Sequence, residues 1–343
     1  MKICSNCVIP ETSETLIFDK NNKCSVCTQI KEKKVINWKQ KEETLDLLIE
    51  QYRGKYEYDC IIPFSGGKDS TFTLWYLVTQ KKLKPLVIRF DHNFYRKKHE
   101  LNVQKVVSKL GVDFINYKTN FEIVKKTMME SLIRRGDFCW HCHVGVSALP
   151  INIAIEKKIP LIFFGEPSSE YSSYNDYEEM EEMDNERFNK VSNLGINAED
   201  MYEMIKERYP EQRIDIRDLK PYMFPNPREL VENKIKSRFL GNYIFWDVRE
   251  QVEIIKKELG WQGDNVEGIP QDYDYEKIEC MMQGVRDYIK FLKRGFGRTA
   301  HLTSIDIRNN RMNRDKALEL CKMYDGKKPK SLDLFLKIIK ISE

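Results

Sequence analysis

Two groups of side chains in this 343-residue chain combine types and spacings that serve chemistry. The first lies at residues 61–71, IIPFSGGKDST, where an apolar run ending at Phe64 breaks into Ser65-Gly66-Gly67-Lys68-Asp69-Ser70 and then turns apolar again. A strand that ends in Ser-Gly-Gly and feeds a helix leaves several backbone N–H groups free at the helix N-terminus. The helix dipole makes that end a site for anions. Gly66 and Gly67 allow a sharp turn and close backbone approach to a phosphate. Ser65 and Ser70 supply hydroxyls, Lys68 a mobile positive charge, and Asp69 a carboxylate suited to Mg2+. The pattern is neither GxxxxGK[ST] nor GxGxxG, and it suits a pyrophosphate.

The second group is cysteine. Cys4, Cys7, Cys24 and Cys27 form two CxxC pairs, the arithmetic of a four-cysteine zinc ribbon. Four thiolates leave no open coordination position, so the zinc is expected to be structural. It also explains how a segment with so little apolar material folds. FCWHCH (138–143) places Cys139 and Cys142 beside His141 and His143. That set fits a second metal, part of an iron–sulfur cluster, a redox or nucleophilic pair, or side chains that merely line a site. Cys280 joins them only if the fold brings it there.

The elements that must position these groups follow from the apolar pattern. Strands are expected at 58–64, 85–90, 112–117 and 160–165, with helices at 70–80, 99–110, 121–135 and 144–156. Short buried strands separated by helices predict a doubly wound parallel α/β sheet covered on both faces. Asp91 and Gly165 then fall at the carboxyl edge where ligands bind; Asp91 suits either a ribose or metal contact or a helix cap. Residues 30–53 read as one amphipathic helix. Residues 168–186, polar, acidic and tyrosine-rich, read as a solvated, mobile excursion. Beyond 198 the pattern is mostly helical, with one strand at 242–246 and an apolar-rich helix at 331–342. Four units are expected: a zinc ribbon at 1–29, a linker helix at 30–56, the sheet at 57–197, and a helical substrate- or partner-binding region at 198–343.

Apolar residues at 41% and charged residues at 32% suit a folded globular chain. The net charge of +4, from 57 basic and 53 acidic side chains, gives no case for a broad nucleic-acid surface. No apolar run reaches the roughly 20 residues that cross a bilayer, and MKICSNCVIP lacks a signal-peptide core; a cytoplasmic protein with no membrane contact is expected.

Ser65 to Ser70 resembles SGGxDS, the signature of the PP-loop ATP pyrophosphatases, whose fold is adenine nucleotide alpha hydrolase-like. The resemblance implies ATP cleaved between its α- and β-phosphates with Mg2+: a substrate oxygen attacks the α-phosphorus, pyrophosphate leaves, and a second nucleophile displaces AMP. Residues 273–314, the N-terminal cysteine pairs, FCWHCH and GEPSSEY (165–171) further resemble the N-acetyl-sugar amidotransferases of lipopolysaccharide and pseudaminic acid biosynthesis. That branch implies an acetamido group on a sugar or nucleotide sugar converted to an acetamidino group. Lys68, Asp69, Glu166, Cys139 and Cys142 are the candidate catalytic residues. Phe64, Ser65, Gly66, Gly67, Ser70, Asp91 and Gly165 would complete the nucleotide site, and Glu166, Glu170, Arg294 and Arg298 would bind the sugar. Arg294 and Arg298 belong to a basic, glycine-bearing stretch at 284–314 that fits a diphosphate, a docking face or a solvated face. Cys4 belongs to the zinc set and no glutaminase pattern emerges, so a separate glutaminase, related to the glutaminase and cyclase-like subunits of imidazole glycerol phosphate synthase, is the expected ammonia source. The rival resemblance is a PP-loop tRNA thiolase with zinc or iron–sulfur cysteines.

Overall fold

The computed structural model describes residues 2–172 and 176–340. Five strands, β1 (Cys60–Pro63), β2 (Pro85–Asp91), β3 (Asp113–Lys118), β4 (Leu161–Phe164) and β5 (Lys236–Phe239), form one sheet in the order β3-β2-β1-β4-β5, every pair parallel. Ile61 sits opposite both Leu86 and Ile162. Alternate strand residues feed two cores: Cys60, Ile62, Val87 and Phe163 face one, and Ile61, Leu86, Ile88 and Ile162 the other. The expected doubly wound α/β sheet is therefore present.

The helices before and within the sheet are α1 (Ser25–Lys33), α2 (Trp38–Glu50), α3 (Lys68–Trp75), α4 (Lys97–Leu110), α5 (Phe121–Arg135) and α6 (Trp140–Lys157). Later come α7 (Asn185–Arg187), α8 (Ala198–Arg208), α9 (Pro227–Glu232), α10 (Val248–Leu259), α11 (Gln283–Arg294), α12 (Arg298–Arg308), α13 (Arg314–Tyr324) and α14 (Leu332–Ile339). Helices α2, α3, α4 and α10 cover the first core, and α6 and α8 the second. Chain order runs outward from β1 to β3 and then returns to β4, on the other side of β1. The carboxyl end of β1 and β4 is thus the topological switch point, where such sheets bind ligands. Among the described residues no single helix is long and apolar enough to cross a membrane; α5 and α6, apolar as a pair, meet at 115°.

Several expectations needed correction. The helix read over 30–53 is two: α1 ends at Lys33, and Asn37 caps the start of α2, its side chain accepting from Gln40 N. The strand expected at 242–246 is not one: β5 lies earlier, at KSRF, and Tyr243 and Trp246 instead fill the core beside Phe72. Burial, not pairing, explains that aromatic run. The excursion over 168–186 is solvated at Asp176, Glu178, Glu179, Glu182, Asp184 and Glu186, as a charge run would be, but it is also anchored to the body. Tyr177, Glu181 and Met183 are buried, and Glu181 accepts from Ser168 N at 2.8 and 3.0 Å while pairing with Arg187. Residues 173–175 lie outside the described set, as do residues 341–343, where the expected 331–342 helix ends.

The cysteine segment does not stand apart. Cys4, Cys7, Cys24 and Cys27 share a buried cluster with Phe296, Ala300 and Ala317 of the α12–α13 region. Arg314 donates to Cys7 O at 3.1 Å and to Cys4 O at 3.3 Å, and Ser304 Oγ accepts from Val8 N at 3.3 Å.

Candidate active site

The phosphate-loop candidate lies between β1 and α3, with Gly67 as the residue before the helix. Gly66 has φ +83°, and a Cβ there would collide with Val103 and His99. Only glycine fits. Trp261 Nε1 donates to Gly66 O at 3.0 Å and fixes the turn from outside. Ser70 Oγ accepts from Gly66 N at 3.1 Å and Ser65 Oγ from Gly67 N at 3.2 Å, so the hydroxyls shape the loop as well as face the cavity.

Lys68 Nζ lies 2.6 Å from Asp69 Oδ2 and 3.2 Å from Glu276 Oε2. Burial alone would lower its pKa, but Asp69, Glu276 and Glu166 prevail and hold it well above the usual lysine value. Asp69 Oδ1 is buried without a hydrogen-bond partner, a free acceptor that fits a divalent cation. Gly165, after β4, stands against the first turn of α3, with Asp69 O within 3.3 Å of where a Cβ would be.

These groups open on a cavity of about 1040 Å3. One wall holds Phe64, Ser65, Lys68, Asp69, Ser70, Gly165 and Glu166; another holds Cys139 and Cys142 at the start of α6; α11 and α12 supply a basic wall with Arg286, Lys290, Arg294 and Arg298. Burial, then the Asp69 carboxylate, pushes Glu166 up to about 8 against the opposing pull of Lys68 and Lys277. A carboxyl group with that value can exchange a proton near neutral pH.

The fold does bring Cys280 to the cavity of Cys139 and Cys142, and an isolated bridge between Tyr95 and Cys280 holds it there. Burial pushes the Cys142 and Cys280 thiols up to about 12 and Cys139 well above its usual value. Burial also lowers His141 to about 4 and His143 to about 3. At neutral pH the cysteines are thiols and the imidazoles uncharged, so no cationic imidazole is present to activate a thiolate.

Two expected site residues are placed elsewhere. Glu170 is outside the cavity wall, in a buried ion pair with Lys33 at 2.7 Å; Lys33 Nζ also donates to Trp246 O and lies over Phe245. Asp91 accepts from Asn93 N at 2.8 Å, closing its own turn; it caps no helix, since α4 starts at Lys97 after Arg96. Arg294 pairs with Glu14 of the cysteine segment, and Arg298 is held between Glu276 at 3.4 Å and Asp287 at 3.0 Å. The N-terminus of α12 is not open to a phosphate either, because Asp325 accepts from the N–H groups of Gly297, Thr299 and Ala300. The residues missed were Glu276 and Glu279. Their signal was present in EKIEC (276–280), two acids three apart just ahead of the basic stretch at 284–314. Burial would raise Glu276, but Lys68, Lys277 and Arg298 hold it down to about 2.

The Sγ atoms of Cys4, Cys7, Cys24 and Cys27 all lie within 4.8 Å of one another and are buried; among the described residues no other group of three or more possible ligands is gathered so closely. Cys24 N and Asn6 N donate to Cys4 Sγ at 3.2 and 3.4 Å, and Asn6 Nδ2 to Cys27 Sγ at 3.3 Å. Four thiolates with donors on their sulfurs fit a tetrahedral soft-metal site.

Residues 267–343 match the family described as LPS biosynthesis protein WbpG-like, C-terminal domain. The basic wall is therefore WbpG-like. The WbpG-like segment contributes Glu276, Glu279, Cys280 and one face each of α11 and α12 to the cavity. An uncharacterized protein of Methanocaldococcus jannaschii, MJ1599, is 29% identical over 142 residues, covering 35% of this chain and 50% of that protein. This chain thus spans half the length of that relative. The solved U34-tRNA thiolase NcsA of Methanococcus maripaludis, with its 4Fe-4S cluster, aligns over 93% of this chain and 88% of its own at 15% identity and a TM-score of 0.36. That likeness is too distant for residue-level comparison.

Proposed function

We propose that the chain is an ATP-dependent amidotransferase that converts the acetamido group of an N-acetylated sugar or nucleotide sugar into an acetamidino group for surface-glycan synthesis. One observation carries this reading: the segment similar to a lipopolysaccharide-biosynthesis domain forms the wall facing an SGGKDS phosphate loop across a single cavity.

The acetamido oxygen attacks the α-phosphorus of ATP, pyrophosphate leaves, and an O-adenylyl imidate forms. Ammonia adds to the activated carbon, and AMP departs with the former acetamido oxygen. Lys68 and the loop N–H groups stabilise the departing pyrophosphate. Mg2+, bound through Asp69, would supply further charge neutralisation there. Glu166 takes a proton from the incoming nitrogen, which its value near 8 suits. Arg294 and Arg298 bound the sugar side. The neutral Cys139, Cys142 and Cys280 thiols are ill suited to hydrolyse glutamine, which supports ammonia delivery by a separate glutaminase. Zinc at Cys4, Cys7, Cys24 and Cys27 is structural in this reading.

Incubation with ATP, ammonium and a panel of N-acetylated sugars and nucleotide sugars should release AMP and pyrophosphate in equal amounts, with heavy oxygen from a labelled acetamido group recovered in AMP. Label remaining in the sugar would rule the reaction out.

Cys280 favours one second reading, a PP-loop tRNA thiolase. It brings a third thiol to the cavity that Cys139 and Cys142 line, and cysteine thiolates are what hold an iron–sulfur cluster. Anaerobic purification separates the readings: a brown protein whose pyrophosphate release depends on tRNA supports the thiolase.

A further inference from the structure

An anion already touches the phosphate loop. Glu279 Oε1 lies 3.4 Å from Ser65 Oγ, and it approaches Gly67 so closely that a Cβ on that glycine would overlap the carboxylate. Three residues earlier, Glu276 holds Lys68. The two acids therefore take up the loop's cation and part of its hydroxyl and backbone face. Between them Lys277 has φ +50°, a left-handed conformation that an L side chain adopts at a cost, and Ile278 is fully buried. That turn is what lets two acids three apart face one loop.

The segment is tied at its far side to residues 94–96. Arg96 N donates to Glu279 O at 3.1 Å and Met281 N to Phe94 O at 2.9 Å. Cys280, between these ties, lines the cavity, and its Sγ accepts from Met282 N at 3.3 Å. Cys280, the residue of the Tyr95 bridge, directly follows Glu279 between two turns, so displacement of one bears on the other.

We infer that Glu279 is a positioning residue that holds the empty loop in place of a phosphate, and that a nucleotide entering the loop displaces it and shifts Cys280. The inference rests on reading Ser65–Ser70 as the pyrophosphate site. Two anions cannot share a partly dry loop without strong repulsion. Pyrophosphate wins the exchange because it carries more acceptors and also engages Lys68, whereas Glu279 meets a hydroxyl and a glycine. Nucleotide occupancy at one wall thereby changes the wall that holds Cys139 and Cys142. A Glu279 that instead served as a permanent metal ligand would make the opposite prediction, since its removal would weaken binding.

The test uses the full chain and inorganic pyrophosphate without Mg2+, which isolates the competition between anions. By calorimetry, Glu279→Gln and Glu279→Ala should each bind pyrophosphate roughly tenfold more tightly than the parent, about 1.4 kcal/mol. In the parent, alkylation of Cys280 by iodoacetamide, followed peptide by peptide, should change severalfold on adding pyrophosphate while Cys321 in α13 does not. Unchanged or weaker binding by both variants overturns the inference. So does Cys280 reactivity indifferent to pyrophosphate in a parent that binds it, a result that needs no variant to fold. Binding by none of the three proteins would remove the phosphate-site reading itself, and the inference with it.

Discussion

Glu276 Oε2 lies 3.2 Å from Lys68 Nζ, and its other oxygen 3.4 Å from Arg298, so one carboxylate from the WbpG-like segment joins the phosphate loop to α12. The loop's cation is oriented from two directions, by its neighbour Asp69 and by a residue distant in sequence.

Removing that carboxylate should be felt twice. Breaking a lone buried ion pair costs roughly 3–5 kcal/mol. In Glu276→Ala, Lys68 retains Asp69 and Arg298 retains Asp287, so a loss of about 2 kcal/mol in urea unfolding is expected. The kcat/KM for ATP should fall about tenfold or more as Lys68 loses its second anchor.

The amidation rate should rise with pH through about 8 when free ammonia is held constant, because Glu166 accepts a proton only once ionised. Glu166→Gln should flatten that rise and lower the plateau. Since the folded state binds this proton more tightly than the unfolded chain, the Glu166 contribution to stability is present below the ordinary glutamate value and is lost as pH climbs through about 8. A steady-state pH profile of both proteins checks the first point, and urea midpoints across that range the second.

Glu170→Ala offers a clean separation of roles. If Glu170 only neutralises buried Lys33, the variant loses about 3 kcal/mol of stability while its KM for sugar and ATP, measured where it remains folded, stays at the parent value. A raised KM with unchanged stability would return Glu170 to the substrate site.

Stripping metal with a strong chelator, or substituting Cys24→Ser, should lower the thermal midpoint by several degrees and loosen α12 and α13 along with the ribbon, since the cysteines share a buried cluster with Phe296, Ala300 and Ala317. Hydrogen exchange resolved to 298–324 checks the coupling; metal analysis of the parent should find zinc.

What could be read from the sequence was whatever local chemistry dictates. Four strands, the glycine turn at Gly66 and the Cys4–Cys27 set all have short-range signatures, and each is where spacing placed it. What escaped depended on distant partners. Nothing near Glu170 announces that Lys33 lies beside it, and nothing near Asp325 announces that it fills the N-terminus of α12. Tyr243 and Trp246 looked like strand residues because strands and cores select the same side chains. Glu276 and Glu279 were hidden in an acidic, tyrosine-bearing run, DYDYEKIEC (272–280), and their role emerged only from what the fold set opposite them.

The docking of the cysteine ribbon on α12 and α13, with Ser13, Glu14 and Thr15 at the cavity edge, bears on how the molecule comes to be made. Ribosomes release Lys68 well before Glu276, so a nascent chain exposes its nucleotide loop while the opposing wall does not yet exist. The cavity closes only when α11 and α12, made after the loop, reach the cysteine segment made before it. Until then the loop at Ser65–Ser70 has no enclosed cavity in front of it.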